Sequence, residues 1–207
     1  YLDRRPFLLS RPRRGDPWIW QRHPCYHQSK KKIYWQVVAY PQFRHANLIH
    51  AIHPREASHL NAYFPRVPIE VIPPGLDLEA VEQILADIPP EPNQPPYLLF
   101  LGRLHPVKGI DLLIQAFARL DTPHLRLKIA GPVQPREAAY AAQLEKMVQE
   151  AGLGQRVEFL GPVQGRQKWE LLRRAWAFCL PSHSEVVGMV NLEAAACRTP
   201  VITTTAT

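Results

Sequence analysis

At 207 residues and 46% apolar, the chain can bury one sizeable core or two small ones, but no stretch offers the ~20 consecutive apolar residues of a membrane-spanning helix. Cys25, Cys179 and Cys197 are odd in number and widely spaced, and the nine histidines show no His-Glu-x-x-His spacing, which argues against a disulfide framework and against a metal centre. The whole net charge of +7 lies in residues 1–35, where nine Lys/Arg face only Asp3 and Asp16, and the remainder is neutral.

Residues 1–35 also carry Trp18, Trp20, Tyr26, Tyr34 and Trp35. A basic, aromatic arm suits an anionic membrane surface, an acidic sugar phosphate, nucleic acid, or plain solvent. The neutral remainder and the acids Glu185 and Glu193 speak against nucleic acid. The expected location is cytoplasmic, with the arm peripheral at the inner membrane face. The chain does not begin with Met, shows no signal peptide, and stops just after an apolar run, so it is expected to be a fragment.

Ala46–Ile52 and Ile69–Ile72 read as strands flanking a short helix near Glu56–Tyr63. These are too few elements for a whole domain, and residues 1–86 are read as the tail of one. Residues 87–96 hold five prolines, too many for a helix or inner strand, and read as a stiff connector.

From Tyr97 the pattern becomes regular. Tyr97–Leu101 is a continuous apolar run, as in a strand buried on both faces. Ile110, Leu113, Phe117 and Leu120 recur at helical spacing. Leu125, Leu127 and Ile129 alternate as a strand. Tyr140, Leu144, Met147, Val148 and Ala151 define a helix closed by Gly152. Val157 and Phe159 mark a strand, Trp169, Leu172 and Trp176 a helix, and Ala177–Leu180 a strand. Residues 189–197 form a last helix and Pro200–Thr204 a last strand. Alternating strands and helices imply crossover connections, hence an α/β, doubly wound, mostly parallel sheet over residues 97–207.

Ligands of such sheets gather where strand ends lead into helix N-termini. The first such loop, Gly102 to Gly109, presents Arg103 and Lys108 beside two glycines that let the backbone approach a ligand. Arg offers a phosphate two parallel hydrogen bonds and Lys a compact charge. The second, Pro181 to Met189, leads into a helix whose free N–H groups form an anion site, with Gly188 allowing close approach. Glu185 lies in that loop and reads either as a contact to a transferred sugar or as a helix cap. Glu193, one turn inside the helix among Leu192, Ala194, Ala195 and Ala196, reads as a ligand for sugar hydroxyls or as a solvated acid. So apolar a helix demands a polar partner for it. The third loop, Gly161 to Gly165, reads as an ordinary turn or as a slot for a base lined by its backbone.

Together these residues resemble the retaining glycosyltransferases of family 4, with the GT-B fold of two facing Rossmann-like domains, of the kind found in bacterial polysaccharide biosynthesis. The family's strand, Gly-Arg-Leu, Lys-Gly and amphipathic helix match Tyr97–Leu120. Its Glu-(seven residues)-Glu motif and following Ala-x-Ala-Cys-Gly-x-Pro-Val-Ile match Glu185 to Ile202. Its Ile-Pro-Asn-Gly-x-Asp matches Ile72 to Asp77, and Arg13-Arg14-Gly15 with Trp18 and Lys30–Trp35 resembles a further segment.

The resemblance implies that residues 97–207 hold a nucleoside-diphosphate sugar, with Arg103, Lys108 and Glu185 as the catalytic set. Arg103 and Lys108 would hold the diphosphate, Glu193 the ribose and Glu185 the transferred sugar. Gly102, Val163 and the backbone of Gly188, Met189 and Val190 would complete the donor site. No cofactor or metal is expected. The acceptor would be a saccharide or a lipid-linked molecule, and configuration would be retained, by a carboxylate nucleophile or by attack from the leaving-group side. Glu185 is the only local nucleophile and is assigned a positioning role. A non-catalytic nucleotide-sugar or carbohydrate-binding module and a GT-B epimerase are the alternatives. The chain alone is not expected to catalyse transfer. Departures from the family are Val186 for a glycine, Arg198 for the glycine after Cys197, and Pro74 for an asparagine. The glycine pair after the last strand is expected beyond Thr207, and the acceptor loop before Tyr1.

Overall fold

A computed structural model describes residues 34–89, 91, 94–185 and 187–205. The basic arm, apart from Tyr34 and Trp35, lies outside the described residues, as do Cys25 and Val186. The chain divides into two compact units, Tyr1–Pro74 and Gly75–Thr207.

In the first unit, a π-helical turn Trp35–Ala39 runs into α1, Tyr40–Arg44. The sequence reading placed no helix here; Pro41 falls in the first turn of α1, a position that proline tolerates. Strands β1 (Ile49–Ala51) and β2 (Ile69–Val71) pair in parallel with Ile49 opposite Ile69, and α2 (Pro54–Tyr63) connects them. His53 caps α2 by accepting the Arg55 N–H, and Glu56 reaches back to accept the Ile52 N–H at 2.8 Å. Ile49, Ala51, Leu60, Phe64 and Val67 form the core, over which the Trp35, Phe43 and Tyr63 rings pack.

The second unit opens with α3 (Leu78–Ala86), whose N-cap Asp77 accepts the Ala80 N–H. Val81 and Leu85 are buried in the core of this unit, as is Ile88. The helix thus belongs with the downstream residues, although the proline run suggested a boundary after Ala86. The described part of that run is docked rather than free: Arg166 donates to the Asp87 carbonyl, and Arg174 meets Glu91 at 2.9 Å.

Five parallel strands follow, β3 (Tyr97–Leu101), β4 (Arg126–Ala130), β5 (Val157–Gly161), β6 (Ala177–Leu180) and β7 (Val201–Thr203). Their order is β5-β4-β3-β6-β7. They alternate with α4 (Ile110–Ala118), α5 (Ala138–Glu150), α6 (Gly165–Arg174) and α7 (Met189–Ala196). β3 is central, with Phe100 opposite Ile129 on one side and Leu99 opposite Phe178 on the other. Strands covered on both faces need apolar residues throughout, which is why β3 and β6 are nearly continuous apolar runs. Phe100, Ile114, Phe117, Leu144, Leu172 and Phe178 fill the layers between sheet and helices. The expected doubly wound parallel sheet is present. Trp176, expected on the α6 face, instead stands 66% exposed, because Ala175 is extended and turns the chain out of the helix.

Candidate donor site

The strand order reverses between β3 and β6, so the loops leaving their C-terminal ends face one crevice. The two loops are in direct contact. His183 N–H donates to the Val107 carbonyl at 2.8 Å. Gly109 has φ +65°, and a Cβ there would lie 2.1 Å from the Pro181 carbonyl oxygen. Only glycine allows this approach.

The contact brings two of the expected site residues together: Lys108 Nζ donates to Glu185 Oε2, each side chain 17% exposed. Gly188 ends the second loop in the left-handed region as the N-cap of α7, leaving the N–H groups of Met189 and Val190 at the helix start. Glu185 Cγ and Asn191 Nδ2 flank the space beside the Gly188 α-carbon. The Asn191 Oδ1 atom is buried without a hydrogen-bond partner among the described residues.

Glu193 sits in α7 and is paired, as an acid in an apolar helix must be. Its partner is Lys168, whose Nζ lies 2.9 Å from Oε1. Lys168 belongs to the first turn of α6, which the Val163 loop leads into, so the third loop is tied to α7 through this pair. Val163 itself packs on the core. Gly102 continues from β3, its N–H donating to the Ala130 carbonyl. Arg103 is exposed, and no hydrogen bond or ion pair joins it to Lys108, Glu185 or Glu193 among the described residues.

His105 marks where the positive charges converge. Its Nδ1 accepts the Val107 N–H, and its Nε2 lies 3.7 Å from Oε1 of the buried Glu137, which Arg136 also holds at 2.8 Å. Desolvation lowers the His105 pKa first; Glu137 opposes this, while Arg103, Arg136 and Lys108 add to it. Sequence reading missed His105, Glu137 and Lys168. Glu193's need for a partner was legible, but nothing local in the sequence named Lys168. Cys179 and Cys197 are buried free thiols, as expected, and burial pushes both up to about 11. Among the described residues no helix is long and apolar enough to cross a membrane.

Known proteins resemble this chain in sequence and in fold. The D-inositol 3-phosphate glycosyltransferase of Mycolicibacterium smegmatis is 32% identical over 152 residues, covering 73% of this chain and 33% of the relative. That of Stackebrandtia nassauensis is 35% identical over 144 residues, covering 67% and 31%. The chain therefore spans about a third of the length of these curated relatives. Among solved structures, Anabaena Alr3699/HepE in complex with UDP and glucose superposes with a TM-score of 0.69 at 23% identity, over 87% of this chain and 50% of that one. WaaG, a glycosyltransferase involved in lipopolysaccharide biosynthesis, gives 0.60 at 21% identity over 89% and 55%. These neighbours establish the GT-B, Rossmann-like fold. Residues 82–207 match the family described as glycosyl transferases group 1, and the chain belongs to that family.

Proposed function

We propose that this chain carries the donor site of a retaining glycosyltransferase, which moves a hexose from a nucleoside-diphosphate sugar to a saccharide or lipid-linked acceptor. The observation that carries the reading is the meeting of Lys108 and Glu185 at the β3/β6 crevice, beside the free N-terminus of α7. A cation, a carboxylate and the first backbone N–H groups of a helix within one crevice suit a ligand that joins a diphosphate to a polyol.

Cleavage of the sugar–phosphate bond develops negative charge on the departing diphosphate. Arg103, Lys108 and the N–H groups of Met189 and Val190 would meet that charge, with Gly102 and Gly188 admitting the phosphates. These fixed charges need no metal to assist them. Glu193 would accept hydrogen bonds from the ribose, and the backbone at Val163 would border the base. Glu185 would leave Lys108 to the phosphates and turn to the sugar hydroxyls, a positioning role. UDP is the nucleotide held by HepE, which shares the fold. The basic arm would rest against an anionic membrane surface at the cytoplasmic face.

The test is calorimetric titration of the chain with UDP, GDP and ADP, followed by an assay with the matching sugar nucleotide. Saturable binding of one of them, with proton NMR of the transfer product showing the donor's anomeric configuration, supports the proposal. Failure of all three to bind rejects it, and binding with no transfer by any longer form of the protein leaves a binding module instead.

A further inference from the structure

We infer that Lys168 is a positioning residue for the donor's ribose: it fixes the Glu193 carboxylate so that its second oxygen meets the ribose hydroxyls. The inference rests on the donor-site reading above. Three features of the structure support it.

First, the pair is held on two sides. Lys168 Nζ is 2.9 Å from Glu193 Oε1 and also stands 4.3 Å from the centroid of the Trp169 ring. Trp169 is itself buried in the core, so the ammonium is clamped between a rigid aromatic face and the carboxylate. Second, the pair is largely withdrawn from water, with Lys168 24% and Glu193 16% exposed in their side chains. A pair so placed is screened less than a surface ion pair and keeps its geometry. Third, only Oε1 is engaged. Oε2 of Glu193 has no hydrogen bond among the described residues, while a carboxylate has acceptor sites on both oxygens.

The physical consequence concerns order before binding. A glutamate side chain loses rotamer freedom when it grips a ligand, a cost that falls on affinity unless the protein has already met it. Lys168 meets it in the free chain. It comes from the first turn of α6, directly after the loop that would border the base, so this bond ties that end of α6 to the helix that would read the ribose. On its own helix Glu193 is flanked one turn away by Met189, Val190 and Ala196, none of whose side chains can donate a hydrogen bond to orient it.

The test compares the tightest-binding nucleotide among UDP, GDP and ADP with its 2′,3′-dideoxy counterpart, by calorimetry on the wild-type chain and on K168M, K168Q and K168R. Loss of a charged hydrogen bond to the reading carboxylate is expected to weaken the ribonucleotide about tenfold in K168M, and the dideoxy nucleotide little. The ratio between the two should therefore collapse in K168M and K168Q and survive in K168R. A merely structural Lys168 would weaken both nucleotides alike, or neither, and that result would overturn the inference while leaving the donor site standing. No binding of any nucleotide to the wild type would remove the donor site itself. Should K168M fail to fold by circular dichroism, K168Q decides on the same ratio.

Discussion

Lys108 donates to Glu185 although the two are 77 residues apart, because the loops after β3 and β6 end side by side at the point where the sheet changes its winding direction. In the free chain, the cation assigned to the diphosphate is thus neutralised by the acid assigned to the sugar. On the proposed function, a donor diphosphate would compete with Glu185 for Lys108.

Replacing Glu185 with Gln should therefore act in opposite senses on binding and on chemistry. E185Q frees Lys108, and a nucleoside diphosphate lacking sugar should bind about three- to tenfold more tightly. Sugar transfer should slow. Calorimetry and a transfer assay read the two effects; weaker diphosphate binding in E185Q would mean that Lys108 and Glu185 do not compete.

Truncating the cations should lower kcat more than it raises KM. A group that meets charge developed only in the transition state is typically worth ~3–4 kcal/mol, or ~10²–10³ in rate. R103A and K108A, each made in a transfer-competent longer form of the protein, are expected to fall in that range under saturating donor. Near-normal turnover in both would remove them from the catalytic set.

G109A should be strongly destabilising without touching any proposed ligand group. The new methyl meets the Pro181 carbonyl at 2.1 Å, and the residue must also hold φ +65°. Left-handed strain and overpacking together predict a loss of about 3 kcal/mol or more. Urea unfolding of the variant checks this, and a loss of unfolding free energy under ~1 kcal/mol would show that the two loops can part freely.

Arg198 should be improvable. Helices α5 and α7 end in the same hydrogen-bond pattern: Leu153 N–H to the Val148 carbonyl in one, Thr199 N–H to the Ala194 carbonyl in the other. The residue at the left-handed position is Gly152 in the first and Arg198, at φ +61°, in the second. R198G relieves the strained residue but loosens the unfolded chain, for a net gain of about 0.5–1 kcal/mol. Thermal unfolding of the two proteins side by side gives the sign.

Stability should fall in acid through His105. Its folded pKa lies below the ordinary 6.5, so the unfolded chain takes up the proton first as pH falls. The contribution of the neutral ring is complete above about pH 6.5 and drains away as pH drops through the lower folded value. Protonation of Nδ1 would also break its bond to the Val107 N–H. H105N keeps an acceptor there but does not titrate. Its melting temperature should decline less than the wild type's between about pH 7 and about pH 5, and parallel curves would assign the acid sensitivity elsewhere.

Much of the second unit was legible in the residues alone. Tyr97–Leu101 and Ala177–Leu180 are apolar runs of strand length between glycine- or proline-bearing loops, and the helix of residues 110–118 repeats apolar side chains every three or four positions. These signals are local, set by backbone period and by which face must leave water. The content of the site loops was legible for the same reason, since Gly102 to Gly109 and Pro181 to Met189 are contiguous. Helix α3 shows the limit: no helix was read over residues 78–86, and the prolines after it drew the boundary behind it, whereas the two units divide before it, at Pro74 and Gly75.

Sequence by itself determined the strands and helices from Tyr97 onward, the loop chemistry and the requirement that Glu193 have a partner, but not the helices at 35–44 and 78–86. Tertiary structure alone decided that Lys108 faces Glu185, that Lys168 answers Glu193, and that Arg136, Glu137 and His105 gather behind the first loop. The reason is that a hydrogen bond depends on distance in space, and the order β5-β4-β3-β6-β7 makes neighbours of strands far apart along the chain. A period in the sequence records which side of an element is buried; it carries no record of which other element arrives there.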